Sequence, residues 1–378
     1  MNIPGRGSTS PSEVEMPHPL WSSEEIRSIC LEQGFARAGI ASADPTTRRE
    51  ELEAWIRDGR HGSMAWMAEH LDVRADPGEL VEGARSIICV LDRYADGTPD
   101  AIEPGWGRVA RYARGRDYHV VMKSRLHAVC DRLRERAPDH VFRACVDTAP
   151  LLEREVAARA GLGSIGKHTL LIEPGLGSWL LIGAIVTTLE LDRTGHDADH
   201  DPCGTCTRCI DACPTDAITP WSLDARRCVS AMTIEHRQPI DETFHEGMGD
   251  WIFGCDICQE VCPHNEPTAR TRAAIRHESH DGPVEAEAGG RREDGAAFRL
   301  LSVLGWDETT RRAAFKGSSM KRAKLEMMRR NAVIAAGNSL REHDDPQLRT
   351  AVEALTVEGT DPMVRDAARA VLDSLDEV

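Results

Sequence analysis

Three things are scarce in this sequence: aromatic residues, long apolar runs and positive charge. Aromatics make up 4% of the 378 residues, and no run approaches the roughly 18 apolar residues of a membrane-spanning helix. The first 20 residues are polar and rich in Pro and Ser, without the apolar core of an export signal. We therefore expect a globular cytoplasmic protein with a disordered tail over residues 1–21 and no membrane contact.

Positive charge is not only scarce but unevenly placed. The net charge of −16, from 46 basic and 62 acidic residues, argues against general affinity for nucleic acids. Residues 311–330 nevertheless hold eight Lys or Arg against the single acid Glu326, and residues 106–136 hold nine against three acids. Each stretch is either a solvated helix face, which composition alone favours, or a surface for a polyanion.

Cysteine is abundant and regularly spaced. Residues 203–214 read C-x2-C-x2-C-x3-C-P, the bacterial ferredoxin motif for a cubane cluster, whose fourth cysteine usually ligates a second cluster. Residues 255–263 repeat the pattern with one cysteine fewer, and Cys228 supplies the missing member. We therefore predict two 4Fe–4S clusters, since zinc sites would not need the doubled motif and disulfides are rare in the cytosol. The predicted ligands are Cys203, Cys206, Cys209 and Cys262 for one cluster, and Cys213, Cys228, Cys255 and Cys258 for the other.

Hydrophobic periodicity predicts an α+β fold. The predicted helices cover 22–39, 47–70, 118–136, 151–160, 296–304, 307–316, 318–337, 346–356 and 361–375. The predicted strands lie at 40–41, 86–91, 141–146 and 177–189. The expected units are a layered α/β domain over 22–195, a ferredoxin-like domain over 196–270, a linker or loop over 271–295, and a HEAT-like helical repeat over 296–378.

Two features of the first domain bear on chemistry. Asp147 follows a predicted strand, where a half-buried carboxylate beside a cofactor could have a raised pKa and donate a proton. Spacing alone favours the alternative that Asp147 caps the helix from Leu151 onward. The glycines of 161–166 either let a flat ligand approach the backbone or end a helix, at even odds. The histidines of the loop 192–202, His196 and His200, are more simply exposed residues than metal ligands.

Seven blocks of the sequence, in order, resemble the epoxyqueuosine reductases, cobalamin-dependent iron–sulfur enzymes that complete queuosine in tRNA. The blocks are residues 111–119, 146–154, 160–172, 203–218, 224–235, 254–265 and 320–338. The sequence departs from the family at Ser164, where a Trp is usual, and at His264, where an aromatic residue is expected. Met122 replaces the Gly of the D-x-H-x-x-G motif that begins at Asp117, so no His lower ligand to cobalt is predicted.

The resemblance implies a base-off cobalamin, which the clusters reduce to cob(I)alamin, and the reduction of epoxyqueuosine to queuosine and water at the tRNA wobble position. It implies that Asp147 is the proton donor, which reverses the preference from spacing. The implied cofactor-binding residues are Arg111, Tyr112, Asp147, Lys167, His168, Ser230, Cys255 and Asp256.

The same resemblance implies partners. The C-terminal helices would bind the tRNA anticodon arm, and the expected contacts are Arg237, Lys321, Arg322 and Lys324. Electrons would come from an external flavodoxin- or ferredoxin-type donor to a monomeric enzyme. The alternative is a dehalogenase-like corrinoid iron–sulfur reductase of a small molecule, but such proteins usually carry an export signal and lack a basic helical C-terminus.

Overall fold

The computed structural model describes residues 21–195, 200–267 and 290–376. The predicted tail over 1–20, His196 and most of the predicted linker lie outside these residues. Trp21, which the sequence places in the tail, is buried: its indole N–H donates to the carbonyl of Leu133 at 3.3 Å, and the Arg136 guanidinium lies 3.8 Å from its ring. The structured part of the chain therefore includes Trp21.

The described elements mix helices and strands. The strands are β1 Arg37–Ser42, β2 Ser86–Arg93, β3 Trp106–Val109, β4 Phe142–Cys145, β5 Ser164–Ile165, β6 Leu171–Ile172, β7 Leu180–Thr187, β8 Ile218–Thr219, β9 Ser222–Leu223, β10 Trp251–Phe253 and β11 Ala297–Arg299. The helices are α1 Ser23–Glu32, α2 Arg49–Arg57, α3 Trp66–Glu69, α4 Leu71–Ala75, α5 Pro77–Leu80, α6 Tyr118–Arg134, α7 Glu153–Arg159, α8 Arg208–Asp211, α9 Val229–Ile234, α10 Ile257–Glu260, α11 Leu300–Leu304, α12 Glu308–Ala314, α13 Leu325–Glu342, α14 Pro346–Glu353 and α15 Pro362–Asp376. None of these helices is long and apolar enough to span a membrane.

A four-stranded sheet in the order β1-β2-β7-β4 forms the centre of the N-terminal part. All three pairings are antiparallel, and every residue of β2 is buried. Apolar residues of α1 and α6 cover one face of the sheet, and those of α7 cover the other. This layering explains why β2 is a continuous apolar run instead of an alternating one.

The first predicted helix ends earlier than expected. Its start is as predicted, because the Ser22 hydroxyl accepts the Glu25 N–H while the Glu25 carboxylate accepts the Ser22 N–H. The helix ends at Glu32, and Gly34 turns the chain with a φ of 95°. Residues up to 42 then pair with β2, so sheet pairing overrides the local helical pattern.

A second sheet joins distant parts of the chain. Its order is β10-β3-β11, with β3 paired parallel to β10 and antiparallel to β11. Its three strands come from the predicted N-terminal, ferredoxin-like and C-terminal units. The hydrophobic core around it is shared in the same way, for it contains Val109, Ile252 and Phe298 together. The predicted units are therefore parts of one packed body.

The C-terminal part is helical, with two corrections. Residues 297–299, predicted as helix, form β11 because β3 offers them a pairing edge. The helix predicted over 318–337 is a 3-10 turn at Ser319–Arg322 followed by α13. α13 packs closely on α15, where a Cβ on Gly337 would lie 2.6 Å from a methyl group of Val371. The glycine therefore permits the close helix contact.

Several arginines of the basic stretch 106–136 are engaged in ion pairs, whereas Arg116, Arg132, Arg134 and Arg136 are exposed. Arg108 pairs with Asp250 at 3.1 Å, and Arg125 pairs with the buried Asp92 at 2.8 Å. Arg114 forms an ion pair with Asp100, and its Nη1 donates a hydrogen bond to Asp100 Oδ1 at 2.9 Å. These guanidiniums hold the fold together instead of facing solvent.

Candidate cluster and active site

The predicted cluster thiols of the two motifs act on one another. Burial, with smaller contributions from the Cys203, Cys209 and Cys206 thiols, raises the pKa of Cys262 to about 11. Burial raises the pKa of Cys258 well above its usual value, with the charges of Cys228, Asp256, Cys209 and Cys213 adding to the shift. Each of these two cysteines of the second motif is therefore within electrostatic reach of thiols of the first. The division of the eight cysteines between two clusters stays a prediction.

The thiols suit 4Fe–4S clusters in number and kind. A 4Fe–4S cluster binds four cysteine thiolates, one at each iron. Eight free cysteines lie in the two motifs and at Cys228. The side chains present therefore fit two 4Fe–4S clusters.

Lys167 holds the loop of the first motif. Its backbone N–H donates to the Cys203 sulfur at 3.3 Å, and its buried ammonium donates to the carbonyls of Gly204 at 2.7 Å and Cys206 at 3.0 Å. His264 assists by bonding the Pro202 carbonyl at 3.0 Å. The structure therefore places Lys167, a predicted cofactor residue, against the first cluster loop.

Arg111 and Asp256 form a buried network beside the second motif. The Asp256 carboxylate accepts the Arg111 N–H at 2.7 Å, and the Arg111 guanidinium lies 3.2 Å from both Asp100 and Glu260. Burial raises the pKa of Asp256 to about 6. Both residues are engaged by protein groups, so the structure gives them a positioning role at the cluster; cofactor contact by either stays a prediction.

Asp147 has an unusual backbone. It follows β4 with a φ of 52°, a region that costs a non-glycine residue about 1 kcal/mol or more. Its N–H donates to Glu153 Oε1 at 2.7 Å, which fixes this conformation. The predicted capping role is wrong, because α7 begins at Glu153 with Leu152 at its N-cap. The strained carboxylate is instead turned toward His119 and solvent.

The ionisation of Asp147 differs from the sequence expectation. Partial burial acts to raise its pKa, but hydrogen bonding and charge from His119, helped by Tyr118 and Arg322, outweigh burial and lower it. Glu153 holds a proton instead, because burial and the Asp147 charge raise its pKa to about 8. Asp147 is therefore ionised at neutral pH, and a proton must reach it before it can act as an acid.

Tyr112 connects Asp147 with the second cluster motif. Its ring packs at the apolar cluster that includes Cys255 and stands edge-on to Tyr118 at 6.0 Å. Burial, followed by the charges of Asp147 and Asp256, raises its pKa. Tyr112 therefore packs on the same apolar cluster as Cys255 and feels the charge of Asp147.

Several buried polar atoms near this site lack a hydrogen-bond partner among the described residues. They are His61 Nδ1, Trp66 Nε1, Arg74 Nε and His168 Nε2. His168 Nδ1 accepts the Leu170 N–H at 3.2 Å, and burial lowers the pKa of the ring to about 4. Its Nε2 therefore carries a hydrogen that it can offer to a ligand.

A cavity of about 310 Å3 lies between residues 61–63 and the segments 225–226 and 231–236. Ser230, a predicted cofactor residue, precedes its lining residues Ala231 and Met232. The Trp66 ring centroid lies 4.9 Å from the Arg74 guanidinium and 5.7 Å from that of Arg322. The unpartnered donors suit an acceptor-rich ligand such as the amide-bearing rim of a corrin.

The space beside the glycines of 161–166 is filled by other parts of the protein. Gly161, with a φ of 76°, ends α7, and its N–H donates to the Ala158 carbonyl at 2.9 Å. A Cβ on Gly163 would lie 2.3 Å from the Ile172 carbonyl oxygen. These contacts support the helix-ending interpretation at Gly161, and close approach of the other glycines to a flat ligand stays a prediction.

The four predicted tRNA contacts lie on two segments that are joined. Arg322 pairs with Glu235, and buried Arg330 donates to the carbonyls of His236 at 2.8 Å and Gln238 at 2.7 Å. Arg237 is exposed between these two carbonyls, and Lys321 and Lys324 are exposed on the other segment. The structure therefore brings the candidate contacts into neighbouring positions.

Sequence reasoning missed the residues around Asp147. Asp117, His119 and Glu153 reach it from two helices, and Trp66 and Arg74 come from α3 and α4. The only sequence signal was that Asp117, His119 and Glu153 fall inside the blocks 111–119 and 146–154.

Two family models match the chain. One described as "4Fe-4S double cluster binding domain" matches residues 202–265, and one described as "Epoxyqueuosine reductase QueG, DUF1730" matches residues 74–148. An epoxyqueuosine reductase of Xanthomonas campestris pv. campestris is 40% identical over 352 residues, covering 88% of this chain and 94% of that protein. Another, of Burkholderia pseudomallei, is 34% identical over 398 residues, covering 96% and 93%.

Solved structures are similar as well. A crystal structure of selenomethionine-labelled epoxyqueuosine reductase matches with a TM-score of 0.80 over 93% of this chain and 90% of that chain; at 24% identity this likeness concerns the fold. A crystal structure of epoxyqueuosine reductase with an epoxyqueuosine-modified tRNA-Tyr stem loop matches with a TM-score of 0.75 at 25% identity, over 93% and 98%.

Proposed function

The chain belongs to the epoxyqueuosine reductase family, and from that premise we propose how its residues reduce epoxyqueuosine to queuosine in tRNA. It is an oxidoreductase with a 4Fe–4S double-cluster domain. The observation that carries the proposal is the Asp147 carboxylate, which lies 3.0 Å from His119 and whose charge acts on Tyr112, a side chain packed on the same apolar cluster as Cys255. This juxtaposition is what a reduction needs, since electrons and a proton must arrive at one place.

Cobalamin is the proposed cofactor, held base-off. His168, Trp66 and Arg74 support it, because each has a buried donor without a partner that suits the amide groups of a corrin. Ser230, Cys255 and Tyr112 would help to hold it. When bound, cobalamin would supply a strongly reducing cobalt centre for the epoxide.

The chain's own groups then act on the substrate. Removing the epoxide oxygen as water takes two electrons and two protons and leaves a carbon–carbon double bond. The clusters deliver the electrons, with Cys203, Cys206, Cys209 and Cys262 holding one and Cys213, Cys228, Cys255 and Cys258 the other. Asp147 delivers a proton to the leaving oxygen. Proton transfer by a positioned acid typically contributes about 10²- to 10⁴-fold in rate.

The tRNA partner is proposed to bind across the two joined segments. Arg237, Lys321 and Lys324 are exposed there and suit contacts to phosphates, and Arg322 is half-exposed in its pair with Glu235. The helices α13 to α15 are proposed to form the HEAT-like support for this surface. We further propose that an external flavodoxin- or ferredoxin-type protein donates the electrons. The enzyme is proposed to be a monomer and to act in the cytoplasm.

The experiment is anaerobic reconstitution of the full chain with iron, sulfide and cobalamin, followed by reaction with an epoxyqueuosine-containing stem-loop RNA. We expect about eight irons and one cobalt per chain, and queuosine as product. Asp147→Asn should keep both metal contents but lose at least about 100-fold in rate. Full activity of that variant would remove Asp147 from the reaction, and eight irons without cobalt uptake would require another cofactor.

A further inference from the structure

We propose that His119 is the source of the proton that Asp147 passes to the epoxide oxygen, with Asp117 holding the imidazole in place. The inference rests on the reaction proposed above. It gives the enzyme a proton-delivery chain of three side chains, Asp117, His119 and Asp147, in place of a lone carboxylate.

The geometry requires a charged ring. His119 Nδ1 lies 2.7 Å from Asp117 Oδ1, and His119 Nε2 lies 3.0 Å from Asp147 Oδ2. A neutral imidazole has one N–H and can donate to only one of two carboxylates, whereas the imidazolium donates to both. With Asp117 and Asp147 both ionised, both hydrogen bonds are satisfied only when His119 carries the proton.

The exposure of the three side chains indicates the direction in which the proton moves. The Asp147 side chain is 56% exposed, whereas that of His119 is 24% exposed and that of Asp117 is 18% exposed. The Tyr118 ring stacks on the imidazole with centroids 4.0 Å apart and screens it. Asp147 therefore faces the site that receives substrate, and His119 lies behind it as a reservoir.

The start of helix α6 holds Asp117 and His119 in position relative to each other. Asp117 is the N-cap of α6, and its carboxylate accepts the His119 N–H at 3.2 Å as well as holding the ring. The helix N-terminus disfavours a cation at this position, so the two carboxylates must overcome that effect as well as burial. They do so, because hydrogen bonds and charge from Asp117 and Asp147 outweigh burial and raise the pKa of His119 to about 9.

Other charged groups also face this chain. Glu153 of α7 is negatively charged only above about pH 8, where it loses its proton. The charge of Lys321 lowers the pKa of Asp117, and the charge of Arg322 lowers the pKa of Asp147. The charge of Asp147 in turn acts to raise the pKa of Arg74. Since the two carboxylates are in direct hydrogen-bonding contact with His119, they dominate its charge state at neutral pH.

The proton balance is consistent with the reaction. One proton passes from His119 Nε2 to Asp147 and then to the epoxide oxygen, while the second proton needed to form water comes from solvent. The two electrons come from the clusters, which the external donor reduces beforehand. His119 is neutral after the transfer and regains its proton from water.

The test is the pH dependence of the single-turnover rate on an epoxyqueuosine-containing stem-loop RNA, with pre-reduced, reconstituted enzyme. For the unmodified protein we expect the rate to fall as pH rises through about 9. His119→Gln should lose about 100-fold at pH 7.5 and recover partly as pH falls, because Asp147 can then take a proton directly from water. His127→Gln, an exposed histidine on the same helix, is the matched control and should leave both rate and profile unchanged.

A second variant covers the case in which His119→Gln loses its clusters. Asp117→Asn keeps the imidazole but removes one of its two carboxylates, so the alkaline fall should move to lower pH by about one unit while the maximal rate at low pH is kept. An unmoved alkaline fall in Asp117→Asn, or an unchanged profile in His119→Gln, would overturn the inference. If the unmodified protein makes no queuosine at any pH, the proposed function fails and not the proton chain.

Discussion

Replacing Arg330 by Met should destabilise the protein. The Arg330 side chain is fully buried and has no carboxylate partner among the hydrogen bonds that the structure describes. Its guanidinium donates to the Met232 carbonyl at 2.9 Å, to Asn331 Oδ1 at 2.8 Å, and to the carbonyls of His236 and Gln238. Burial alone lowers its pKa to about 10, so it stays charged at neutral pH.

The expected loss follows from the acceptors left behind. Water can reach the carbonyls of residues 236 and 238, which lie on a partly exposed loop, but not those of Met232 or the Asn331 side chain. Two buried acceptors without donors cost about 4 kcal/mol together, at about 1–3 kcal/mol each. The methionine recovers about 1 kcal/mol by apolar burial. We therefore expect a net loss of about 3 kcal/mol.

The assay is thermal unfolding of the anaerobic, cluster-loaded protein. At about 2.1 cal/mol/K of unfolding entropy per residue, this loss lowers the midpoint of a 378-residue chain by about 4 °C. Arg312→Met is the matched control, because Arg312 is 76% exposed and its pair with Glu308 contributes little. Equal midpoints for the two variants would refute the claim that Arg330 joins the helices to the cluster segment.

The remaining predictions concern the clusters and the tRNA. If the fourth ligands are crossed, Cys262→Ala combined with Cys209→Ala should remove about four of the eight irons, whereas Cys262→Ala combined with Cys258→Ala should remove all eight; the reverse result would assign each motif its own cluster. Iron content after reconstitution measures this. For tRNA, the slope of log binding constant against log salt should flatten by about 2 to 3 when three side chains are neutralised together: Lys321, Arg322 and Lys324. Arg312→Gln is the control for that measurement, and an unchanged slope in the triple variant would move the tRNA site elsewhere.

The sequence predicts local features of this protein better than tertiary ones. The cysteine spacing is sufficient to predict the double-cluster domain over residues 202–265, because ligand spacing is a property of short segments. The start of α1 is predicted equally well, since Ser22 and Glu25 form a capping box within one turn. The strand at residues 297–299 was mistaken for helix because its identity depends on pairing with β3, almost 190 residues earlier.

In the candidate site, too, the features that depend on distant segments were not predicted from the sequence. Arg330 reads as part of a basic stretch, since nothing local indicates that its acceptors lie 92 to 98 residues away. The ionised state of Asp147 was likewise missed, because it depends on His119, which approaches from another helix. Burial of charged side chains and pairing between distant segments both require the folded chain.

The sheet β10-β3-β11 has a consequence for how this protein is made. Its central strand, β3, leaves the ribosome early but finds its last neighbour only when residues 297–299 have been synthesised. Until then β3 presents unpaired backbone groups and part of an incomplete hydrophobic core. The nascent chain therefore has to complete this sheet after most of its length has been translated, and its thiols remain accessible for metal delivery during that interval. A chain truncated before residue 297 would leave the same edge permanently open.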